Sequence, residues 1–194
     1  TSFNEMKDDN YIYVDKTDII AKFVSTKGPH FLSRPRRFGK STLIDTFEVL
    51  FSQGLEAFNG LKITQSDNNE SLDEIKQRLD LTKTYKVLRL SFDKIDGLSP
   101  KEIEIKYIEI LKKFFTSLNI NIEDDAIYLF SVLKSGLEQL QEEIVLLIDE
   151  YDTPLTYYLD DSEKFKEVRN ILSVFYKEIK EHASKFRFIF ITGI

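Results

Sequence analysis

The stretch His30–Leu43, HFLSRPRRFGKSTL, decides the fold. Its first residues, His30, Phe31 and Leu32, form a short apolar run that reads as a buried strand. A loop from Ser33 to Phe38 follows. Gly39, Lys40, Ser41 and Thr42 then open a helix that continues through Leu43, Ile44, Phe47, Leu50 and Phe51. Strand, loop and helix in this order are the layout of a phosphate-binding loop. The first N–H groups of a helix have no partner inside it and carry the positive end of its dipole, so an anion satisfies both. Gly39 lets the backbone approach that anion, Lys40 reaches the outer phosphates, and Ser41 offers a hydroxyl to magnesium. The general pattern G-x-x-x-x-G-K-[ST] wants glycine at position 34, where this chain has Arg34. Pro35, which fixes its own φ, is the candidate for stiffening the turn instead. Taken alone, the loop is equally compatible with a basic Gly-Lys-Ser tripeptide opening an ordinary helix.

Composition narrows the class. With 194 residues, 42% of them hydrophobic and 31% charged, the chain has enough for one sizeable core and reads as soluble and globular. No apolar run approaches the length of a membrane span. A net charge of −6 argues against a protein that coats nucleic acid with its whole surface. It leaves room for a local basic patch at Arg34, Arg36, Arg37 and Lys40. There are no cysteines, which excludes disulfides, thiolate catalysis and cysteine-ligated zinc. His30 and His182 are the only histidines, too few to make a zinc site expected. The lack of cysteine fits a reducing compartment and no signal peptide is visible, so a cytoplasmic location is expected. The chain opens on Thr1 rather than an initiator methionine, as a piece of a longer protein would.

Before the loop, Tyr11–Val14 is rich in strand formers. Asp15 or Thr17 caps a helix carrying Ile19, Ile20, Phe23 and Val24, which ends near Lys27-Gly28. After the loop helix, Gly54 and Gly60 punctuate a turn-rich stretch whose Phe58 and Leu61 tuck onto the core. Ser71-Leu72-Asp73-Glu74 is a capping box and predicts a helix through Leu79. Lys86–Phe92, KVLRLSF, is the next strand. Ser99-Pro100-Lys101-Glu102 starts another helix, with Ile103, Tyr107, Ile110, Leu111, Phe114 and Leu118 at helical spacing. A further helix is expected from Asp124 or Asp125, with Ala126, Leu129, Phe130, Leu133, Leu137 and Leu140 on one face.

Ile144–Ile148 is continuously apolar, the signature of a strand buried on both faces of a parallel sheet. It ends in Asp149-Glu150-Tyr151-Asp152, and Thr153-Pro154 is expected to break the chain. Asp160-Asp161-Ser162 starts a helix with a stripe of Phe165, Val168, Leu172, Phe175 and Ile179. Arg187–Thr192, RFIFIT, is a last strand, closed by Gly193. Alternating strands and helices predict an α/β fold with a mainly parallel sheet, helices on both faces, and ligands at the carboxyl ends of the strands.

Phosphoryl transfer needs charge neutralised on the phosphates, a divalent metal and a placed nucleophile. Lys40 and the amides from Arg37 to Thr42 are candidates for the phosphates, and Ser41 with Asp149 for magnesium, Asp149 through a water. Glu150 is the candidate to orient and deprotonate an attacking water. Thr192, at the tip of the strand expected beside Asp149, would hydrogen-bond that water or the terminal phosphate. The plain alternative for Asp149-Glu150 is a solvated strand end. Tyr151 and Asp152 either orient Glu150 or start the following turn, and the turn is preferred. Arg36 and Arg37 touch phosphates, touch nucleic acid, or pair with nearby acids, and surface pairing is the default.

At this point YVDKT (Tyr13–Thr17), FLSRPRRFGKSTL (Phe31–Leu43), LFSQGLEAFNGLKI (Leu50–Ile63), VLLIDEYDTPL (Val145–Leu155) and FIFITGI (Phe188–Ile194) together resemble the AAA-ATPase-like family, over nearly the whole chain. RPRRFGKS and the DEYD tail are specific to it, and arginine at position 34 is usual there. The resemblance implies a P-loop NTPase, an α/β three-layer sandwich of the type with an extra catalytic-glutamate strand. It also implies a Walker A variant, a Walker B strand, and the use of ATP and Mg2+. By this resemblance nucleotide contacts fall to Arg34, Pro35, Arg36, Arg37, Phe38, Gly39, Lys40, Ser41 and Thr42. Metal contacts fall to Ser41 and Asp149, and catalysis to Lys40, Glu150 and Thr192. Family members often continue into a restriction-endonuclease-like domain. Residues 1–194 are therefore expected to be one nucleotide-binding domain, with a fifth strand, any lid and any nuclease domain lying beyond Ile194. Asp15-Lys16-Thr17 lines the base pocket only by this resemblance.

The reading favoured is a magnesium-dependent ATPase serving as a motor or switch for an attached effector. The alternatives are a regulatory module that binds nucleotide without hydrolysing it, a small-molecule or nucleotide kinase, and a nucleic-acid-binding module using Arg34–Arg37, whose binding would weaken steeply with salt.

Overall fold

The computed structural model describes residues 17–26, 28–33 and 40–193. The strand expected at Tyr11–Val14, Asp15 and Lys16, and the loop residues Arg34 to Gly39 lie outside them, as do the side chains of Lys40 and Ser41. Among the described residues four strands, β1 (Pro29–Ser33), β2 (Val87–Ser91), β3 (Ile144–Asp149) and β4 (Phe186–Gly193), form one sheet in the order β1-β4-β3-β2. Every neighbouring pair is parallel. The α-helices among the described residues are α1 (Thr17–Ser25), α2 (Lys40–Gln53), α3 (Leu72–Leu79), α4 (Pro100–Ser117), α5 (Leu129–Glu138), α6 (Thr153–Tyr157) and α7 (Ser162–Glu181). The last strand in sequence is thus inserted between β1 and β3, which makes Thr192 a neighbour of Asp149.

All six residues of β3 are buried, as its uniform apolarity requires. Side chains alternate between the faces of a strand, so β3 feeds two cores. Leu146 and Ile148 join Leu88, Leu90, Ile189 and Ile191 in a core closed by residues of α4, α5 and α7. Val145 and Leu147 join Phe188 and Phe190 in a second core closed by residues of α1, α2 and α3. The edge strand β1 is only half covered, and Phe31 is 60% exposed.

Helix starts follow local chemistry where the sequence supplies a cap. Both arms of the capping boxes Ser71/Glu74 and Ser99/Glu102 are formed, and Asp161 accepts from the Lys164 N–H at 3.1 Å. Two starts differ from expectation. The helix expected from Asp124 or Asp125 begins at Leu129. Its cap comes from another helix: the carboxylate of Glu104 in α4, 5% exposed, accepts from the Leu129 N–H at 3.2 Å. Thr153-Pro154 does not break the chain but opens α6. A proline is accepted in a first turn because the N–H it lacks has no partner there.

Helix α2 runs against the strand direction. The ring of Phe47 lies 4.8 Å from that of Phe190 and 4.7 Å from that of Phe188. One turn on, Phe51 lies 5.0 Å from Phe188 and 5.9 Å from Tyr85, which precedes β2. The end of α2 is pinned at the amino side of the sheet by the Tyr85 N–H, which donates to the Phe51 carbonyl at 2.7 Å. Its first turn therefore points to the carboxyl side.

Candidate functional site

Because the strands are parallel, Ser33, Ser91, Asp149 and Thr192 all lie at or beside the carboxyl edge of the sheet. Ser33 is in register with Gly193, and Ser91 with Asp149. The face matters as much as the edge. Asp149 continues the alternation of Val145 and Leu147, and Thr192 that of Phe188 and Phe190, so both side chains belong to the face covered by α2. The first turn of α2 and the Asp149–Thr192 pair thus share one edge and one face.

Asp149 is 9% exposed and Thr192 fully buried. The Thr192 hydroxyl donates to Oδ1 of Asp149 at 2.7 Å, a charge-assisted bond across two neighbouring strands. The Asp149 carbonyl accepts from the Phe92 N–H at 3.1 Å, so the strand end is also fixed from the β2 side. Among the described residues no lysine or arginine pairs with Asp149. A buried carboxylate with one hydroxyl partner suits a hard divalent cation, which prefers oxygen ligands. No group of three metal-binding side chains stands together among the described residues. Magnesium does not need one, since it commonly takes one or two carboxylates together with phosphate oxygens and water.

Glu150 follows with φ of 51°, in the left-handed region. The other described non-glycine residues with positive φ are Asn69, Asp80 and Asn119, the residue types that tolerate it. A glutamate there is unfavourable by about 1–2 kcal/mol, and such strain concentrates at functional sites. The turn is held by several bonds. The Tyr151 N–H donates to the Thr192 carbonyl at 3.0 Å, and the Thr153 N–H to the Glu150 carbonyl at 3.1 Å. The Thr153 hydroxyl donates to Oε2 of Glu150 at 3.2 Å. Glu150 is half-buried.

Of the other expected site residues, Thr42 is half-buried in the first turn of α2, where its carbonyl accepts from the Thr46 hydroxyl at 2.7 Å. Lys40 and Ser41 open α2. Arg34, Pro35, Arg36, Arg37, Phe38 and Gly39 lie outside the described residues. Thr17 is fully buried and its hydroxyl accepts from the Ile63 N–H at 2.9 Å, a bond that fastens the turn at Lys62–Thr64 to α1. Thr153, which holds the Glu150 carboxylate, escaped the sequence reading because its Thr-Pro dipeptide looked like a breaker.

A cavity of about 660 Å³ lies elsewhere, between the end of α2 and the amino ends of β2 and β3, lined by Glu48, Lys83, Lys86, Leu118, Gln141 and Glu143. Size does not make it the better candidate. In open parallel sheets ligands sit beyond the carboxyl ends of the strands, where helix N-termini converge. The strained Glu150 and the buried Asp149 are at that end.

Fold and site define a class: an α/β protein whose parallel sheet places an acidic strand tip on the same edge and face as the start of a helix opened by Lys40 and Ser41. The chain belongs to the predicted AAA-ATPase family, whose model matches residues 1–194. Membership points to a nucleotide-binding, ATPase-like function. The chain is also 30% identical over 188 residues to a protein of Azotobacter chroococcum mcd 1 described as "Uncharacterized protein in vnfD 5'region". That match covers 96% of this chain and 34% of the relative, so the chain spans about a third of the relative's length. No solved structure matches. Among the described residues no helix is long and apolar enough to cross a membrane.

Proposed function

We propose that this chain is the core of a magnesium-dependent ATPase of the P-loop type, a three-layer sandwich in which nucleotide is gripped between the front of α2 and the acidic tip of β3. The observation that carries the reading is the pairing of a buried Asp149–Thr192 couple with a glutamate held in a strained conformation on the next residue. A solvated strand end has no need of either.

The chain's own residues divide the work. The amides opening α2, together with the residues Arg34 to Thr42, would hold the phosphates, and Lys40 would neutralise the outer ones. Ser41 and Asp149 would hold magnesium, Asp149 through a water. When bound, magnesium offsets charge on the phosphate oxygens in the transition state. Thr192 commits its proton to Asp149 and so fixes which carboxylate oxygen is presented. Its remaining lone pairs can accept from a water. Glu150 accepts the proton of the attacking water as the oxygen closes on the terminal phosphorus and the bridging oxygen departs with adenosine diphosphate. In a protein the length of its relative, turnover would drive an attached effector as a motor or switch. A nuclease-like domain is the candidate for that effector.

Calorimetric titration with magnesium-ATP and magnesium-GTP, alongside hydrolysis rates, tests the proposal. Lys40→Ala is expected to weaken magnesium-ATP binding roughly ten- to hundredfold, the worth of a charge-assisted hydrogen bond. Glu150→Gln is expected to retain affinity and lose turnover by about 10²–10⁴-fold, the usual contribution of a general base. Unchanged affinity in the first variant would remove the loop from the site, and an unchanged rate in the second would remove Glu150 from the chemistry.

A further inference from the structure

Gly193 ends β4 one residue after Thr192, and no side chain fits on it. A Cβ there would lie 2.4 Å from Cε1 and 2.8 Å from Cδ1 of the Tyr151 ring, and 2.9 Å from Oδ1 of Asp152. The described glycines with positive φ are Gly28, Gly54, Gly60 and Gly97, so backbone conformation is not what calls for glycine at 193. The close approach of the Tyr151 ring is. That ring has little freedom to retreat. Tyr176 of α7 meets it edge to face, with centroids 6.1 Å apart and planes at 89°. The Tyr151 backbone is fixed by its N–H bond to the Thr192 carbonyl at 3.0 Å. The Tyr176 hydroxyl is buried without a hydrogen-bond partner, so what Tyr176 contributes here is its ring.

We propose that the Tyr151 ring, seated on Gly193 and against Tyr176, is what keeps Glu150 in the left-handed conformation, which makes Tyr151, Gly193 and Tyr176 positioning residues for the Glu150 carboxylate. The role of that carboxylate as base rests on the function proposed above. The physical argument is one of over-determination. Glutamate has no intrinsic preference for positive φ, so the conformation persists only while its surroundings enforce it. The Thr153 bonds hold the carbonyl and carboxylate of Glu150, but they lie within the turn itself and can move with it. The direction of the turn is set by the next residue, whose ring is packed between a strand tip and a long helix. A Cβ at position 193 must push that ring off its seat. Glu150 then relaxes to an ordinary backbone conformation, and its carboxylate leaves the Thr153 hydroxyl that holds it.

The test uses the chain with Gly193→Ala, Tyr151→Ala and Tyr151→Phe. Three quantities are read: magnesium-ATP affinity, single-turnover hydrolysis, and the φ of Glu150 in crystals of each variant and the wild type. Gly193→Ala and Tyr151→Ala are expected to lose hydrolysis roughly tenfold or more, with affinity within about twofold of wild type. Both are expected to show Glu150 at negative φ. Tyr151→Phe, which keeps the ring, is expected to match the wild type in all three. Glu150 remaining at positive φ in either disruptive variant overturns the proposal, as does a Tyr151→Phe protein as impaired as Tyr151→Ala. Should Gly193→Ala fail to fold, Tyr151→Ala carries the test alone. The two readings fail separately. If Glu150→Gln hydrolyses like the wild type, the base assignment falls, while φ at residue 150 in these variants still decides whether the seat exists.

Discussion

Thr192 and Asp149 meet at 2.7 Å, and both are buried. Thr192→Val keeps the shape and removes the donor. It is expected to lower the unfolding free energy by about 1.5–3 kcal/mol, the range for a hydrogen bond to a charged group, read as a shift of the urea midpoint. An unshifted midpoint would mean that other groups orient Asp149. The Tyr176 hydroxyl gives the opposite expectation. It is buried without a partner, so Tyr176→Phe should leave stability unchanged or raise it by up to about 1 kcal/mol. At this scale the sequence exposed the identities but not the conformations. Asp149, Glu150 and Thr192 stand out because they end apolar strands. The left-handed turn at Glu150 does not, because the Tyr151 ring that keeps it is seated on Gly193 of a distant strand and against Tyr176 of α7. Asn69, Asp80 and Asn119 adopt the same conformation with residue types that advertise it.

Helices and strands show the same division between local and distant causes. Ser71 and Ser99 carry their caps in the next four residues, and both helices begin where the sequence says. The start of α5 was not legible because Glu104, its cap, belongs to α4. Nor was the role of Arg187 on β4, whose guanidinium donates to the Val24 carbonyl at 3.4 Å and to those of Leu79 and Asp80 at 3.0 and 3.3 Å. One cation thereby caps the ends of both α1 and α3, where the helix dipoles favour positive charge. Arg187→Met is expected to cost about 2 kcal/mol or more in chemical denaturation, since several carbonyls lose a charged donor together. A distant contact also fixes Gly136: a Cβ there would lie 2.3 Å from the Phe115 ring, so that ring of α4 packs directly on the backbone of α5. Gly136→Ala is expected to destabilise by about 1–3 kcal/mol through overpacking, despite the better helix propensity of alanine.

For the molecule as a whole, the strand-helix alternation and the uniform apolarity of Ile144–Ile148 made the parallel sheet legible, and the resemblance of the loop made its carboxyl edge the place to look. The same burial gives the fold a pH limit. Burial pushes the hydroxyls of Tyr107 and Tyr176 well above the ordinary tyrosine range. Tyr107 also donates to the Ser91 carbonyl at 2.6 Å, which needs the neutral form. The unfolded chain releases these protons near pH ~10 and the folded chain does not, so stability is full below that pH and falls as pH rises above it. The melting temperature is expected to drop steeply as pH rises above about 10, and less so in Tyr176→Phe. An equal drop in both proteins would remove Tyr176 from that balance. The central claim concerns the carboxyl edge, and it is tested most directly by a crystal structure with magnesium and a non-hydrolysable ATP analogue. The account predicts the outer phosphates on the amides that open α2, with the metal at about 2.1 Å from the Ser41 hydroxyl and one water away from Asp149. A nucleotide bound in the cavity at the amino ends of β2 and β3, with that edge empty, would contradict it.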